Sequence, residues 1–130
     1  MEEEKEYKIE DAESNADNKE FMLQALKDKA SWVLAYCSDK LFEDKELMLE
    51  AVKQNGQLLY YISEELRDDK EIVLEAVKNK GIILKYASKR LRNNKEIGLA
   101  AIKQDKQAEM YISDELRKDE DINNFLHPES

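Results

Sequence analysis

The amino-acid sequence predicts an all-α fold in which about four 25-residue repeats stack into an α-solenoid. Three observations lead to this prediction: a motif that recurs at a fixed period, apolar residues at helical spacing within each motif, and only three Gly and one Pro among 130 residues. Hydrophobic residues make up 42% and charged residues 39% of the chain. That balance is typical of a mostly helical protein with a modest core.

Every copy of the repeat carries the same order of segments, most clearly in DKEIVLEAVKNKGIILKYASKRLRN. In each copy we expect a helix of about 11 residues (helix A), a helix of about 7 residues (helix B) and a one-turn helix. Helices this short are unstable alone in water, so each copy must bury its apolar face against the next. The copies are residues 18–43, 44–68, 69–93 and 94–118, followed by a truncated fifth over 119–126.

Two tails flank this single repeat domain, which we place at residues 17–126. Residues 1–16 predict a flexible acidic tail, because they lack a sustained apolar face and their like charges repel. Tyr7 and Ile9 are the side chains through which part of this tail would fold back onto the first copy. A second tail is predicted over residues 127–130.

Helix A begins with a polar residue and a Lys-Glu pair in every complete copy. Asp17, Asp68 and Asn93 each lie three residues before the glutamate, which is the spacing of a capping box. In the second copy that position is Glu43, a poor cap, so we expect Asp44 to cap the helix. A recurring leucine predicts an apolar face, and a recurring alanine two residues later predicts that a neighbouring helix crosses closely. They are Leu23, Leu49, Leu74 and Leu99, with Ala25, Ala51, Ala76 and Ala101.

Glycine and proline indicate where the helices end. Gly56 and Gly81 follow helix A, where a left-handed residue often terminates a helix. The first and fourth copies lack this glycine, so we expect their turns to differ. In the last copy, Phe125 and Leu126 are expected to cover the open end of the core, and Pro128 stops any further helix.

Helix B leads to a serine, then to a leucine three residues later. A serine at one fixed place more often caps a helix than attacks a substrate, so we expect a cap for the one-turn helix. The leucine is expected to point into the core, and a tyrosine in helix B to fill the groove between copies. These residues are Ser38, Ser63, Ser88 and Ser113; Leu41, Leu66, Leu91 and Leu116; and Tyr36, Tyr61, Tyr86 and Tyr111.

Charge argues against several classes of partner. The net charge is −9, and the first 20 residues hold nine acids and three bases. We therefore expect neither nucleic acid nor an anionic membrane surface as a main partner, since both require a basic face. The start of the sequence lacks the pattern of a signal peptide, and a single cysteine fits a reducing compartment. A cytoplasmic location is the expectation, with secretion lacking a cleaved signal left open.

The frame resembles the helical-repeat family catalogued as domain of unknown function 4116. The resemblance covers roughly residues 18–118 and rests on the motif D-K-E-I/L-x-L-x-A-V-K-x-x-G followed by Y-x-S-x-x-L-R. The first and fourth copies lack the turn glycine, and the fourth has Gly98 within helix A. The resemblance implies no activity, cofactor or catalytic residue. Members look common in bacterial proteins, including effectors of intracellular pathogens, which implies that a translocated role is conceivable.

No residue set predicts catalysis or a metal site. His127, the single histidine, is expected to lie exposed in the tail, and Cys37 to be a small core residue rather than a nucleophile. The acidic clusters 68–69 and 119–121 lack the glycine and spacing of a calcium loop and are expected at helix N-termini. We therefore expect no cofactor, no metal and no enzymatic activity.

Positions at which the copies disagree are the better candidates for binding. Two such positions in helix B lie three residues apart and therefore on one helical face. Because polar residues occupy them in some copies, both are expected to be exposed. The apolar occupants predict a discontinuous stripe that contacts a protein partner. They are Trp32, Tyr60, Ile82 and Met110.

The leading hypothesis is a protein-interaction scaffold or adaptor, because helical repeats without a chemical site favour binding. One alternative is an acidic regulator or inhibitor that occupies a basic site on a partner through residues 2–20. Another is an accessory module of an enzyme or translocated effector.

Overall fold

The computed structural model describes residues 6–129, and this part of the chain is helical without any strand. The all-α prediction is therefore confirmed. The α-helices are α1 (Ile9–Ser14), α2 (Lys19–Lys27), α3 (Lys45–Gln54), α4 (Glu64–Arg67), α5 (Lys70–Asn79), α6 (Lys89–Arg92), α7 (Lys95–Gln104), α8 (Asp114–Arg117) and α9 (Glu120–Leu126). The 3-10 helices are η1 (Ser31–Tyr36), η2 (Leu41–Glu43), η3 (Gly56–Tyr61), η4 (Gly81–Tyr86) and η5 (Lys106–Tyr111).

The copies pack side by side in chain order. Helix A of the four complete copies is α2, α3, α5 and α7, and each packs against the helix A that follows. The predicted helix B is a six-residue 3-10 helix in every copy (η1, η3, η4, η5) rather than a seven-residue segment. Such short 3-10 segments are common as connectors. The consecutive 3-10 helices η3, η4 and η5 also pack on one another, so the copies make two parallel rows.

One continuous apolar core runs through these rows. In α5, Ile72, Val73, Ala76 and Val77 are fully buried, and the equivalent positions of the other copies are buried as well, except for the half-buried Phe21 in the first copy. The recurring leucine of helix A is only half-buried, although it packs against the core, as Leu74 does in α5. In the one-turn helices, the predicted inward leucines also reach this core, three of them buried and Leu66 half-buried.

The helix-A caps lie one residue later than the sequence predicted. Asn18, Asp69 and Asn94 accept the capping hydrogen bonds, at 3.1 Å from Phe21 N in the first copy. Asp44 caps the second copy, as predicted. The prediction failed at the other three starts because an acceptor also stands one position earlier, where spacing alone is ambiguous.

The residues that the sequence predicted as caps, one position earlier, connect neighbouring copies instead. Ser88 Oγ donates to Asp68 Oδ1 at 2.5 Å, and Ser113 Oγ donates to Asn93 Oδ1 at 2.5 Å. Both serines also accept from the amide of the leucine three residues on, so the predicted caps are confirmed there. Ser63 makes the same cap, with Leu66 N at 3.3 Å. Ser88 and Ser113 therefore both cap their own turn and contact the preceding copy. The cap predicted for Ser38 is wrong, since Ser38 donates to Asp17 and η2 has no side-chain cap.

Gly56 and Gly81 do not take the left-handed conformation that the sequence predicted for them. Each instead begins a 3-10 helix that lies directly against the next helix A. A Cβ on Gly56 would lie 2.6 Å from the carbonyl oxygen of Ala76, closer than real Cβ atoms come to any atom. The glycines and the recurring alanine thus serve one close crossing, which the small alanine had predicted.

Helix A ends in an amide side chain that reaches the preceding copy. Asn79 Oδ1 accepts from the amide of Gly56 at 2.8 Å, while its Nδ2 donates to the carbonyl of Lys53 at 3.3 Å. Gln104 accepts in the same way from the amide of Gly81. These bonds satisfy backbone groups at the close crossing, where an unpaired donor would be costly.

The lysine that begins helix A connects each copy to the next. Lys45 Nζ lies 3.1 Å from Asp69 Oδ2 and 3.2 Å from Glu71 Oε1, that is, from the first turn of the following helix A. Lys19, Lys70 and Lys95 make equivalent pairs. All these pairs are solvent-accessible, so each contributes modestly.

The first copy accommodates its extra residue at Lys29, which has a φ of 68°. The amide of Ala30 bonds to the carbonyl of Ala25 at 2.8 Å, and that of Lys29 bonds to Leu26 at 3.0 Å. This pattern is a Schellman motif with a left-handed residue other than glycine. The first turn therefore differs from the others, as predicted.

The N-terminal segment departs from the prediction of a flexible tail over residues 1–16. Within the described residues, α1 packs on the first copy and Ala12 is fully buried. Tyr7 packs edge-on against Phe21, with ring centroids 5.7 Å apart, and donates a hydrogen bond to Asp28. Tyr7 therefore folds back onto the first copy as expected, whereas Ile9 is 52% exposed. Residues 1–5 lie outside the described part.

At the other end, α9 takes the place of a fifth helix A. Ile122 is fully buried, while Phe125 and Leu126 are half-buried against the core, as predicted for residues that cover its end. Glu120 stands where the complete copies have the pairing lysine.

Candidate functional site

Exposed apolar side chains gather on the 3-10 row. Trp32 is 42% exposed, Tyr60 52%, Tyr61 64% and Met110 65%. In a 3-10 helix, residues three apart lie directly above each other, so the two variable positions share a face. We call these four residues the aromatic face. Ile82, the remaining member of the predicted stripe, is half-buried.

Tyr60 is the centre of a ring cluster on this face. Its ring centroid lies 5.0 Å from that of Tyr61 and 4.8 Å from that of Tyr86, both in edge-to-face geometry. Lys85 Nζ lies 5.0 Å from the centroid of the Tyr86 ring, a cation–π arrangement. Tyr60 therefore joins two consecutive copies through aromatic contacts. Trp32 packs similarly on Tyr36, at 6.1 Å.

The recurring tyrosines are not equivalent. Tyr36, Tyr86 and Tyr111 pack against the core as predicted, but Tyr61 is exposed and the prediction is wrong for that copy. Because the four copies carry the same residue here, nothing in the sequence distinguishes Tyr61 from the other three tyrosines. Its position next to Tyr60 enlarges the aromatic face.

Two equivalent grooves lie where a one-turn helix meets the next 3-10 helix. The groove between copies two and three has a volume of about 520 Å³ and is lined by Arg67, Tyr86, Ser88, Lys89 and Arg90, among others. The groove between copies three and four is about 450 Å³, with Arg92 in place of Arg67. In both, the arginine Nε is enclosed without a hydrogen-bond acceptor.

The titratable candidates of the sequence do not form a chemical site. Burial raises the pKa of the half-buried Cys37 to about 11, with Asp17 and Asp39 adding to the effect, so the thiol stays protonated near neutral pH. His127 is exposed at the end of α9. No group of His, Cys, Asp or Glu among residues 6–129 has the geometry of a metal site.

The two acidic clusters lie at helix starts, as the sequence predicted. Asp119 caps α9 by accepting from the amides of Asp121 and Ile122, at 2.9 and 3.2 Å. Asp68 is held by Ser88 and Arg90, which lower its pKa below the ordinary value. Both clusters therefore serve packing between copies.

Within the described part of the chain, no helix is long and apolar enough to cross a bilayer.

The model of the family described as Domain of unknown function (DUF4116) matches residues 18–67 and 69–108. The chain belongs to this family. The matched segments contain the first three copies and much of the fourth, so the recurring frame described above is the frame of the family. No curated protein and no solved structure matches the chain.

Sequence reasoning missed one feature of this region, the uneven distribution of charge among the copies. The third copy holds seven bases and three acids, whereas no other copy has a net positive charge. A count of charge by copy, rather than for the whole chain, finds it directly. Lys85, Lys89 and Arg90 bring part of this charge to the edge of the aromatic face.

Proposed function

We propose that this chain is a non-enzymatic scaffold that binds a protein partner through the aromatic face. The supporting observation is the exposure of Trp32, Tyr60, Tyr61 and Met110 on one row of the fold. Aromatic residues and methionine are enriched at protein interfaces, and soluble proteins seldom leave several large apolar side chains exposed together. Neither nucleic acid nor membrane is a main partner in this proposal.

The edge-to-face cluster makes Tyr60 the best anchor. Its neighbours Tyr61 and Tyr86 hold its ring in place, so little conformational entropy is lost when a partner covers it. Trp32 lies on the first copy and lengthens the surface. A partner that spans these copies would gain affinity from several weak contacts.

Affinity purification with crosslinking, followed by mass spectrometry and a measured Kd for the recovered partner, tests this proposal. The Trp32→Ala/Tyr60→Ala variant should weaken binding at least about tenfold, as expected for two interface anchors. Ile9→Ala is the matched control, because Ile9 is 52% exposed in α1, outside the 3-10 helices that carry the aromatic face. Unchanged affinity in the double variant would exclude the aromatic face.

The same binding measurement distinguishes the aromatic face from the alternative in which the acidic N-terminal segment binds the partner. A chain lacking residues 1–5 leaves α1 and its contacts in place. Loss of binding in that chain, with a reduced salt dependence, would favour the acidic segment over the aromatic face.

A further inference from the structure

The third copy carries a net charge of +4 within a chain of net charge −9. The second copy is −3, and the first and fourth are neutral. Packing does not require this contrast at Lys85 and Lys89, which are exposed and have no base at the equivalent position of any other copy. The basic residues of the third copy are Lys70, Lys78, Lys80, Lys85, Lys89, Arg90 and Arg92.

Part of this charge lies at the groove between copies two and three. Lys89 and Arg67 line the groove and make no ion pair among residues 6–129, whereas Arg90 is paired with Asp68 at 3.0 Å. Arg67 Nε is enclosed there without an acceptor. The lining also contains Glu64, so two cationic side chains and one further acid face a ligand, and the groove is weakly basic.

The equivalent groove one copy later is less basic, because its lining balances Lys89 and Arg92 with two acids. Asp114 and Glu115 stand at the positions of Lys89 and Arg90. In the second copy, these positions are Glu64 and Glu65. The basic turn is thus bordered by acidic turns on both sides, and the junction between copies two and three has the larger excess of bases over acids.

The groove adjoins the aromatic face through Tyr86. This residue lines the groove, and its ring lies 4.8 Å from the ring of Tyr60. An occupant of the groove therefore reaches the exposed Tyr60–Tyr61 pair with its next residues. The surface combines an apolar anchor site with cationic side chains at its edge.

We propose that this junction binds an acidic peptide segment that carries an apolar or aromatic anchor beside its carboxylates. The anchor packs on Tyr60 and Tyr61, while the carboxylates interact with Lys89 and Arg67. A polynucleotide fits less well, because it needs a continuous basic track and the flanking turns are acidic. This inference rests on the proposed function and specifies the chemistry of the partner.

Selection of random dodecapeptides displayed on phage tests the proposal on the full chain. The peptides recovered should carry at least two acidic residues next to an aromatic or large apolar residue. A synthetic copy of the best peptide should then bind with a Kd, measured by fluorescence anisotropy, that rises with salt concentration.

Lys89→Glu should weaken this peptide about tenfold or more. The variant should fold normally, because an acidic residue at the first position of α6 favours the helix dipole. Lys40→Glu makes the same change of charge in the equivalent turn of the first copy and should bind like the wild type.

The outcomes separate this inference from the scaffold proposal. Peptides without acidic preference, or equal affinity for wild type and Lys89→Glu, would overturn the acidic-peptide inference while leaving the scaffold intact. If no peptide is enriched at all, both fail at this surface. A labelled dodecamer of uridylate that binds more tightly than the peptide, and loses affinity in Lys89→Glu, would replace the peptide with nucleic acid.

Discussion

Replacing Gly56 with alanine is the most direct test of the close crossing between copies. A Cβ at this position would lie 2.6 Å from the carbonyl oxygen of Ala76 and 3.2 Å from Asn79 Oδ1. Since carbon–oxygen contacts below 3.0 Å essentially do not occur, α5 and η3 must move apart. Gly56 has no positive φ, so the cost comes from contact and not from backbone conformation.

The magnitude follows from three contributions. Overpacking of this kind costs about 1–3 kcal/mol. Weakening the hydrogen bond from the amide of Gly56 to Asn79 adds about 0.5–1.5 kcal/mol. Alanine also reduces the entropy of the unfolded chain, which offsets about 0.4–1 kcal/mol. We therefore expect Gly56→Ala to lower the free energy of unfolding by about 2 kcal/mol.

Gly98→Ala is the matched control, because its Cβ would meet only side chains. The nearest atom is Leu116 Cδ1 at 3.0 Å, the end of a flexible side chain. Alanine also favours a helix interior over glycine by about 1 kcal/mol, so this variant should be near neutral or more stable. Urea unfolding followed by circular dichroism measures both. If Gly56→Ala is as stable as Gly98→Ala, the close crossing does not constrain the fold.

Three further predictions concern the polar contacts and the cysteine. Lys45→Met should cost less than about 1 kcal/mol, because its partners are exposed, and the cost in urea unfolding should shrink at high salt; a larger, salt-insensitive loss would contradict this. Ser88→Ala should cost about 1 kcal/mol through its lost cap. Ser88 and Arg90 lower the pKa of Asp68. The ionised Asp68 therefore stabilises the fold above its ordinary pKa, and this stabilisation is lost as pH falls through the lowered value. NMR titration of Ser88→Ala should show a higher pKa for Asp68 than in the wild type. Cys37, with a pKa of about 11, should react with a thiol reagent at a rate that still rises above pH 9, and a plateau near pH 8 would contradict its burial.

Local and periodic features were predictable from the sequence. The repeat frame, the inward leucines and the serine caps each depend on spacing within one copy, as the cap of Ser88 on the amide of Leu91 shows. The steric requirement for glycine at position 56 was not predictable, because the group that excludes a side chain there is the carbonyl of Ala76 in the next copy. The contact of Tyr7 with the first copy was expected from the sequence, but the helix α1 and the burial of Ala12 were not.

The candidate site was predictable only in part. Comparing the copies position by position identified Trp32, Tyr60 and Met110 as variable, and all three are exposed. The same comparison missed Tyr61, because all four copies have tyrosine at this position but bury it to different extents. Whole-chain charge hid the basic turn, because the acidic segments outweigh it in the total.

Departures from the common frame fall into two groups, and only one has a structural cause. Lys106 replaces the turn glycine at the copy boundary where the following helix, α9, is only seven residues long, and Glu120 replaces the pairing lysine within α9 itself. At this boundary the close crossing has no full helix A to serve, although Lys95 still pairs with Asp119 and Asp121 at the start of α9. Lys89 and Arg90 lie between two complete copies, in a turn whose cap and inward leucine are intact. Arg90 pairs with Asp68 of the preceding copy, whereas Lys89 makes no ion pair among residues 6–129, so selection for binding is the explanation that we infer for Lys89.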